Sequence, residues 1–108
     1  MTGGGAKRKG ARLECAIKNR LIDSGWFAIK AGGSLGAFDI IAFSPQATLF
    51  IQAKSNRKPP PAEMRAMYQV AKKLANPDRV FQIWIKKDRE KNYYVLDIIE
   101  EGKKYDTE

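Results

Sequence analysis

The sequence predicts one α/β domain, because segments with helical periodicity alternate with short apolar runs that are typical of strands. Helical patterns cover residues 11–24 and the stretch from the prolines at 59–61 to Asn76-Pro77. Strand-like runs lie at 26–31, 36–43, 48–54, 80–86 and 93–99. The predicted order is therefore helix, three strands, helix, two strands. The 108 residues, 44% of them hydrophobic, suffice for one modest core, and we expect a single domain over 1–108.

Composition excludes several classes of protein. The longest apolar runs are strand-sized, so the sequence predicts no membrane segment, and its basic, glycine-rich start does not resemble a secretory signal. We expect a cytoplasmic protein. A single cysteine excludes an internal disulfide, and the absence of histidine excludes Ser-His and Cys-His catalysis and the usual zinc sites.

The chain is strongly basic, with a net charge of +8. Five of the twelve acidic residues but only two of the twenty basic ones lie in 97–108, so the rest of the chain is more basic still. Such an excess indicates either a polyanionic partner, most often nucleic acid, or a solvated basic surface, with about equal weight. Residues 1–10 are predicted to be a flexible basic arm that contacts phosphates or merely aids solubility, and 100–108 a frayed acidic tail. The basic residues at and after this arm are Lys7, Arg8, Lys9 and Arg12.

A β-hairpin is predicted around the turn Ser44-Pro45-Gln46-Ala47. If the turn closes with Phe43 opposite Thr48, the antiparallel register pairs Ile41 with Phe50 and places Asp39 opposite Gln52. Because side chains alternate along a strand, Asp39, Gln52 and Lys54 would then project from one face. The neighbouring residues are apolar, so these polar groups need compensating partners.

Three further features are ambiguous in the sequence alone. Glu14 falls within the apolar arc of the first helix, where it needs Lys18, another lysine or a metal ion as partner. The loop at 32–36 carries Ser34 and either approaches a phosphate or is a plain turn. Trp84, Tyr93 and Tyr94 belong to the core, stack on bases or form a subunit contact, with packing as the default.

Oxygen ligands from separate elements suit a hard cation such as Mg²⁺. Glu14, Asp39 and Gln52 supply such ligands, and Lys54 supplies a positive charge beside them. This combination fits hydrolysis of a phosphodiester, in which the cation activates water and the lysine offsets charge in the transition state.

The same residues resemble the PD-(D/E)xK nuclease superfamily: a helical Glu, an Asp that opens one strand and Gln-Ala-Lys that closes the next. Within it, RLECAIKNRLIDSGW and AGGSLGAFDIIAF most resemble the archaeal-type Holliday junction resolvases, over about 8–54 by motif and beyond that by element order. The resemblance implies a restriction-endonuclease-like αβββαββ core, with a central mixed sheet flanked by helices. It also implies Glu14, Asp39 and Gln52 as metal-site residues, Lys54 as the catalytic lysine and Ser34 as a phosphate contact.

Two positions depart from the family pattern. Phe38 replaces the usual proline before the motif aspartate, and Gln52 replaces the acid of the (D/E)xK part. The site therefore carries two carboxylates rather than three, which should weaken its affinity for magnesium.

The resulting prediction is a homodimeric, Mg²⁺-dependent DNA endonuclease that cleaves four-way junctions, with Mn²⁺ able to substitute. Arg57 and Lys58 would contact the DNA together with the basic start of the chain. The alternatives are a related nuclease of repair or restriction type, a nuclease-like nucleic-acid-binding module with weakened catalysis, and a basic structural domain.

Overall fold

The computed structural model describes residues 3–31 and 37–105, with side chains from residue 10 onward within those ranges. Its elements are α1 (Gly3–Asp23), β1 (Phe27–Lys30), β2 (Ile40–Phe43), β3 (Thr48–Ser55), α2 (Pro61–Leu74), β4 (Arg79–Lys86), β5 (Tyr93–Asp97) and α3 (Ile98–Lys103). The predicted order of helix, three strands, helix and two strands is confirmed, with α3 added at the end. No helix in the described part of the chain has the length and apolarity to span a membrane.

The five strands form one mixed sheet in the order β1-β2-β3-β4-β5. All neighbours are antiparallel except β3 and β4, which run parallel because α2 carries the chain from the end of one to the start of the other. The other strands pair directly with the strand that precedes or follows them in the chain. The mixed sheet flanked by helices is thus confirmed.

The predicted hairpin register is also confirmed: Phe43 pairs with Thr48 and Ile41 with Phe50. The Ser44 side chain stabilises the turn, because its oxygen accepts hydrogen bonds from the N–H groups of Gln46 and Ala47. The ladder ends at the pair Ile40–Ile51, so β2 begins four residues later than the apolar run at 36–43 indicated.

Each face of the sheet carries its own apolar core. Alternation along β3 sends Leu49 and Ile51 toward α1, and Phe50 toward α2. The buried core on the α1 face consists of Ile17, Leu21, Ala28, Ile40, Ala42, Leu49 and Ile51. The buried core on the α2 face consists of Phe38, Phe50, Met64, Met67, Ala71, Phe81, Ile83, Ile85 and Ile98. The sheet therefore separates α1 from α2, and groups from both helices can meet only around its edge.

Two predictions for the chain ends require correction. The first helix begins at Gly3 rather than Ala11, so the segment predicted as a flexible arm is helical from residue 3. Once packing of Ile17 and Leu21 stabilises the later turns, extension through Ala6 to Ala11 costs little, since adding a residue to a formed helix is far easier than nucleating one.

The acidic end of the chain is not frayed over 98–105. Asp97 ends β5 and caps α3, because its carboxylate accepts the N–H of Glu100 at 3.0 Å. Ile98 is buried in the α2-face core, and Gly102 lies directly against the Tyr68 side chain of α2. Burial of Ile98 and the close contact at Gly102 fix this segment despite its charge.

Candidate active site

Asp39 lies immediately before β2, where the β2–β3 ladder stops. Its backbone is held from both sides: the Ala31 N–H donates to the Asp39 carbonyl, and the Asp39 N–H donates to the Ile51 carbonyl, both at 2.8 Å. The carboxylate Oδ2 accepts the N–H of Ala53 at 2.9 Å. The side chain therefore continues the hydrogen bonding of β3 beyond the start of β2, and this hydrogen bond fixes the position of the carboxylate.

The environment of Asp39 raises the pKa of its carboxyl above the ordinary value of 3.8. Burial is the largest cause, while the hydrogen bond from Ala53 acts in the opposite direction. The charges of Glu14 and Glu63 raise the pKa further and that of Lys54 lowers it. The charges of two carboxylates and one ammonium therefore act on Asp39 in addition to its burial.

Lys54 projects toward α2, as the alternation of β3 predicts. Its Nζ lies 3.2 Å from Oε1 of Glu63, which occupies the first turn of α2. An acid is favoured there by the helix dipole, independently of any catalytic role. Sequence reasoning missed Glu63; the only signal was its place just after the proline run, and many exposed helix starts carry such an acid.

Glu14 lies on α1, which packs on the opposite face of the sheet from α2. Its carboxylate forms an ion pair with Lys30 of β1 at 3.6 Å. Of the three partners that the sequence left open, the structure thus selects another lysine rather than Lys18. Glu14 also contributes to the raised pKa of Asp39, so this pair does not remove it from the site.

Gln52 is half-buried and lies on the α2 face of β3, between Phe50 and Lys54. Ala53, the residue after it, donates to Asp39, so Gln52 lies beside that carboxylate along the strand. The amide side chain can supply an oxygen but no charge. The structure therefore places Asp39, Gln52 and Lys54 beside each other, with Glu63 of α2 at Lys54. Glu14 lies on α1 and acts on Asp39 through its charge.

Comparison with known proteins decides the family. The sequence model of the archaeal Holliday junction resolvase (Hjc) family matches residues 5–101. The chain belongs to the archaeal Holliday junction resolvase family. This membership supports the predicted function, a nuclease that cleaves DNA junctions, and confirms the resemblance to PD-(D/E)xK nucleases.

A solved structure shows the same fold. It is the 1.6 Å structure of Hjc from Archaeoglobus fulgidus, described as a Holliday junction resolvase from an archaeal hyperthermophile, and it matches with a TM-score of 0.66. The sequence identity is 21%, over 83% of this chain and 73% of that one. A search of curated protein sequences finds no match. The restriction-endonuclease-like architecture is thus confirmed.

Resolvases of this family generally use a divalent metal ion, and the donor set here fits one in part. A desolvated carboxylate whose pKa is raised by two neighbouring carboxylates would be stabilised by a cation. However, no group of three acidic, histidine or cysteine side chains in the described ranges is arranged closely enough to hold a metal. Glu14 and Glu63 each form an ion pair with a lysine, Glu14 with Lys30 at 3.6 Å and Glu63 with Lys54 at 3.2 Å.

The structure describes the side chains of only some of the residues predicted to contact DNA. Arg12 is exposed on α1, and Arg57 and Lys58 are exposed in the loop after β3, close in sequence to Lys54. Lys58 forms an ion pair with Glu101 of α3 at 3.2 Å, which offsets part of its charge. The side chains of Lys7, Arg8 and Lys9 and the whole of Ser34 lie outside the described residues.

Proposed function

We propose that this resolvase-family protein is a Mg²⁺-dependent endodeoxyribonuclease that cleaves four-way DNA junctions as a homodimer. The observation that carries the proposal is the Asp39 carboxylate, which Ala53 holds at the sheet edge within electrostatic range of Glu14 and Lys54. Catalytic sites are places where burial and nearby like charges shift a pKa in this way. A purely structural aspartate would gain stability from a cationic partner rather than from two acidic neighbours.

The metal site would be formed by Glu14, Asp39 and Gln52, through two carboxylates and one amide oxygen. When bound, Mg²⁺, or Mn²⁺ in its place, would polarise the phosphate and lower the pKa of a bound water. The amide of Gln52 adds a ligand without charge, so we expect weaker magnesium binding than a site with three carboxylates would show.

Lys54 would bind a nonbridging oxygen of the scissile phosphate and offset the charge that develops there. Its side chain is 28% exposed and is already held by the ion pair with Glu63, so it needs little reordering to reach a phosphate. Glu63 would then act as the counter-ion that holds Lys54 in place before DNA arrives.

A dimer would present two such sites to opposite strands of a junction. The sequence indicates the last two strands as the contact surface, and Tyr94 and Val95 of β5 are indeed exposed. A larger apolar patch lies at the other edge of the sheet, where Phe27 is 68% exposed beside the ring of Phe43 and near Ile29. Exposed apolar patches commonly mark protein contacts, so we propose this β1–β2 patch as the dimer surface.

A nuclease-like binding module is the second candidate, because Gln52 lacks the charge of the motif acid and Glu14 and Glu63 are each paired with a lysine. Both candidates bind DNA, so binding alone does not separate them. The cytoplasmic location stays a prediction, and it is consistent with either candidate.

Incubation of a labelled four-way junction with magnesium separates the two candidates. We expect the native chain to cut the junction, and Lys54→Ala and Asp39→Ala to lower the single-turnover rate by about 100-fold or more, since each removes a group that acts on the reacting phosphate. Lys73→Ala, which removes a positive charge from the exposed face of α2, should cleave at the native rate.

Junction binding measured without metal completes the test. If the native chain binds the junction but never cuts it, and both site variants bind as tightly, the binding module is correct. For either candidate the affinity should fall steeply with salt, whereas a basic structural domain would show no such dependence.

A further inference from the structure

A cavity beside the candidate active site lies on the same face of the sheet as Lys54. Its volume is about 430 Å³, and Ile85, Tyr94 and Leu96 form its apolar surface. The register pairs Lys54 with Ile85 across β3–β4, and Ile85 with Tyr94 across β4–β5. Because adjacent strands are about 4.8 Å apart, the Tyr94 backbone lies about 10 Å from that of Lys54. This is a distance that one or two nucleotides can span.

The rim of the cavity is basic. Arg57 and Lys58 line it on the loop after β3, and Lys87 lines it at the start of the turn after β4. No acidic residue is among the described residues that line it, although Glu101 lies 3.2 Å from Lys58 just outside. A basic rim around an apolar interior suits a ligand with an anionic group attached to a flat apolar one, and a nucleotide has both.

Hydrogen bonds between the two loops hold the cavity open. The Asp88 N–H donates to Oδ1 of Asn56 at 2.9 Å, and the Asn56 amide donates back to the Asp88 carboxylate at 3.4 Å. The Asn56 N–H also donates to the Lys86 carbonyl at 2.9 Å. Asn56 adopts a left-handed backbone conformation with φ 67°, which asparagine tolerates better than most residues. The cavity walls are therefore tied together before any ligand arrives.

Tyr94 offers an exposed aromatic surface at this cavity. Its side chain is 47% exposed, and its hydroxyl donates to Glu90 at 2.8 Å, which fixes the ring position. The Lys87 ammonium lies over the ring, 4.6 Å from its centre. A cation over an exposed ring is held more weakly than a stacked base, so a base can replace it and leave Lys87 to contact the phosphate.

We propose that this cavity binds an unstacked base of the junction strand that is cut, with Tyr94 as its stacking partner and Arg57 and Lys87 as contacts of its phosphate. The inference rests on the proposed nuclease function, since a DNA strand that passes Lys54 also passes this cavity. Bases at a branch point have lost a stacking neighbour, so they leave the stack at lower cost than bases within a duplex. The cavity would thus contribute to preference for branched DNA.

Junctions that each lack one base near the branch point test the proposal. Their affinity is measured in EDTA for the native chain, Tyr94→Ala, Tyr94→Phe and Val95→Ala. Val95 is the matched control, because it is 46% exposed on the same strand but points to the opposite face of the sheet. Thermal unfolding of each variant confirms that it is folded.

We expect Tyr94→Ala to weaken binding of the intact junction about tenfold, with Tyr94→Phe and Val95→Ala close to native. For the junction that lacks the bound base, the affinity of the native chain should fall by a similar factor relative to the intact junction. The affinity of Tyr94→Ala should be the same for these two junctions. The proposal is wrong if Tyr94→Ala binds the intact junction as tightly as the native chain does. It is also wrong if, at every abasic position, the losses of affinity from base removal and from Tyr94→Ala are additive. The proposed nuclease function is tested separately, by cleavage of the intact junction in magnesium. It fails if the native chain leaves that junction uncut.

Discussion

Replacing Gln52 with glutamate restores the acid of the motif and tests the geometry of the site directly. Gln52 precedes Ala53, which donates to the Asp39 carboxylate, so the new carboxylate would lie about 6 Å from that of Asp39. At an effective dielectric constant of about 20, two unit charges at that distance repel by about 3 kcal/mol. The site is partly open to solvent, so we discount this to about 1–2 kcal/mol. Lys54 gives little relief, because Glu63 already binds it.

This repulsion should lower the stability of the metal-free variant and raise its affinity for magnesium. At pH 7 in EDTA, we expect Gln52→Glu to lower the melting temperature by about 5–10 °C, as a loss of 1–2 kcal/mol implies for a domain of this size. Millimolar magnesium should restore most of that loss, because a cation between the two carboxylates removes their repulsion. The magnesium affinity should rise about tenfold, measured by calorimetric titration.

The matched control is Gln46→Glu, which makes the same charge change in the turn at the far end of the hairpin. Its melting temperature should change by no more than a degree or two in EDTA, and magnesium should not affect it. If Gln52→Glu melts like this control with and without magnesium, position 52 does not face the Asp39 carboxylate, and the proposed ligand set is refuted.

Asp39→Asn should stabilise the metal-free protein at pH 7. Because the pKa of Asp39 is raised in the folded state, the free energy of unfolding of the native chain falls as pH rises from about 3.8 through the folded-state pKa. The variant has no carboxyl at this position and keeps that stability. Glu63→Gln should tighten junction binding in EDTA about two- to fivefold, because removing a negative charge that competes with the DNA phosphate for Lys54 outweighs the lost positioning of that side chain. Gly102→Ala should lower the free energy of unfolding by about 1–3 kcal/mol, measured in urea, since the added methyl would overlap a neighbouring aromatic side chain.

Each of these has its own control. The stability gained by Asp39→Asn should vanish near pH 3.5, where residue 39 is neutral in the native protein as well as in the variant. A gain that persists at this pH would contradict ionisation of Asp39 as the cause. Glu100→Gln makes the same charge change in an exposed pair with Lys103, away from the site, and an equal tightening would show a general charge effect. Gly10 lies within α1 and has open space around it, so Gly10→Ala should stabilise the protein slightly. A loss of stability as large as that of Gly102→Ala would refute the steric explanation.

The sequence predicts most elements of this fold because local patterns decide them. Alternation and the Ser44 turn predict the β2–β3 hairpin and its register, since one face of each strand must be buried. The same patterns fail at the chain ends. α3 forms where a run of acids suggests fraying, because Ile98 is buried and Gly102 allows close contact with Tyr68, and neither contact is local in sequence.

By itself, the sequence determined which groups the site can use: two motif carboxylates, a neutral amide and one lysine, with no histidine or thiol pair to support other chemistry. Only the tertiary structure decided how those charges are paired. Glu14 of α1 meets Lys30 on one face of the sheet, and Glu63 of α2 meets Lys54 on the other. Asp39 lies where β2 begins and accepts a hydrogen bond from β3. Electrostatic partners depend on distance in space, and the order of residues along the chain does not specify that distance.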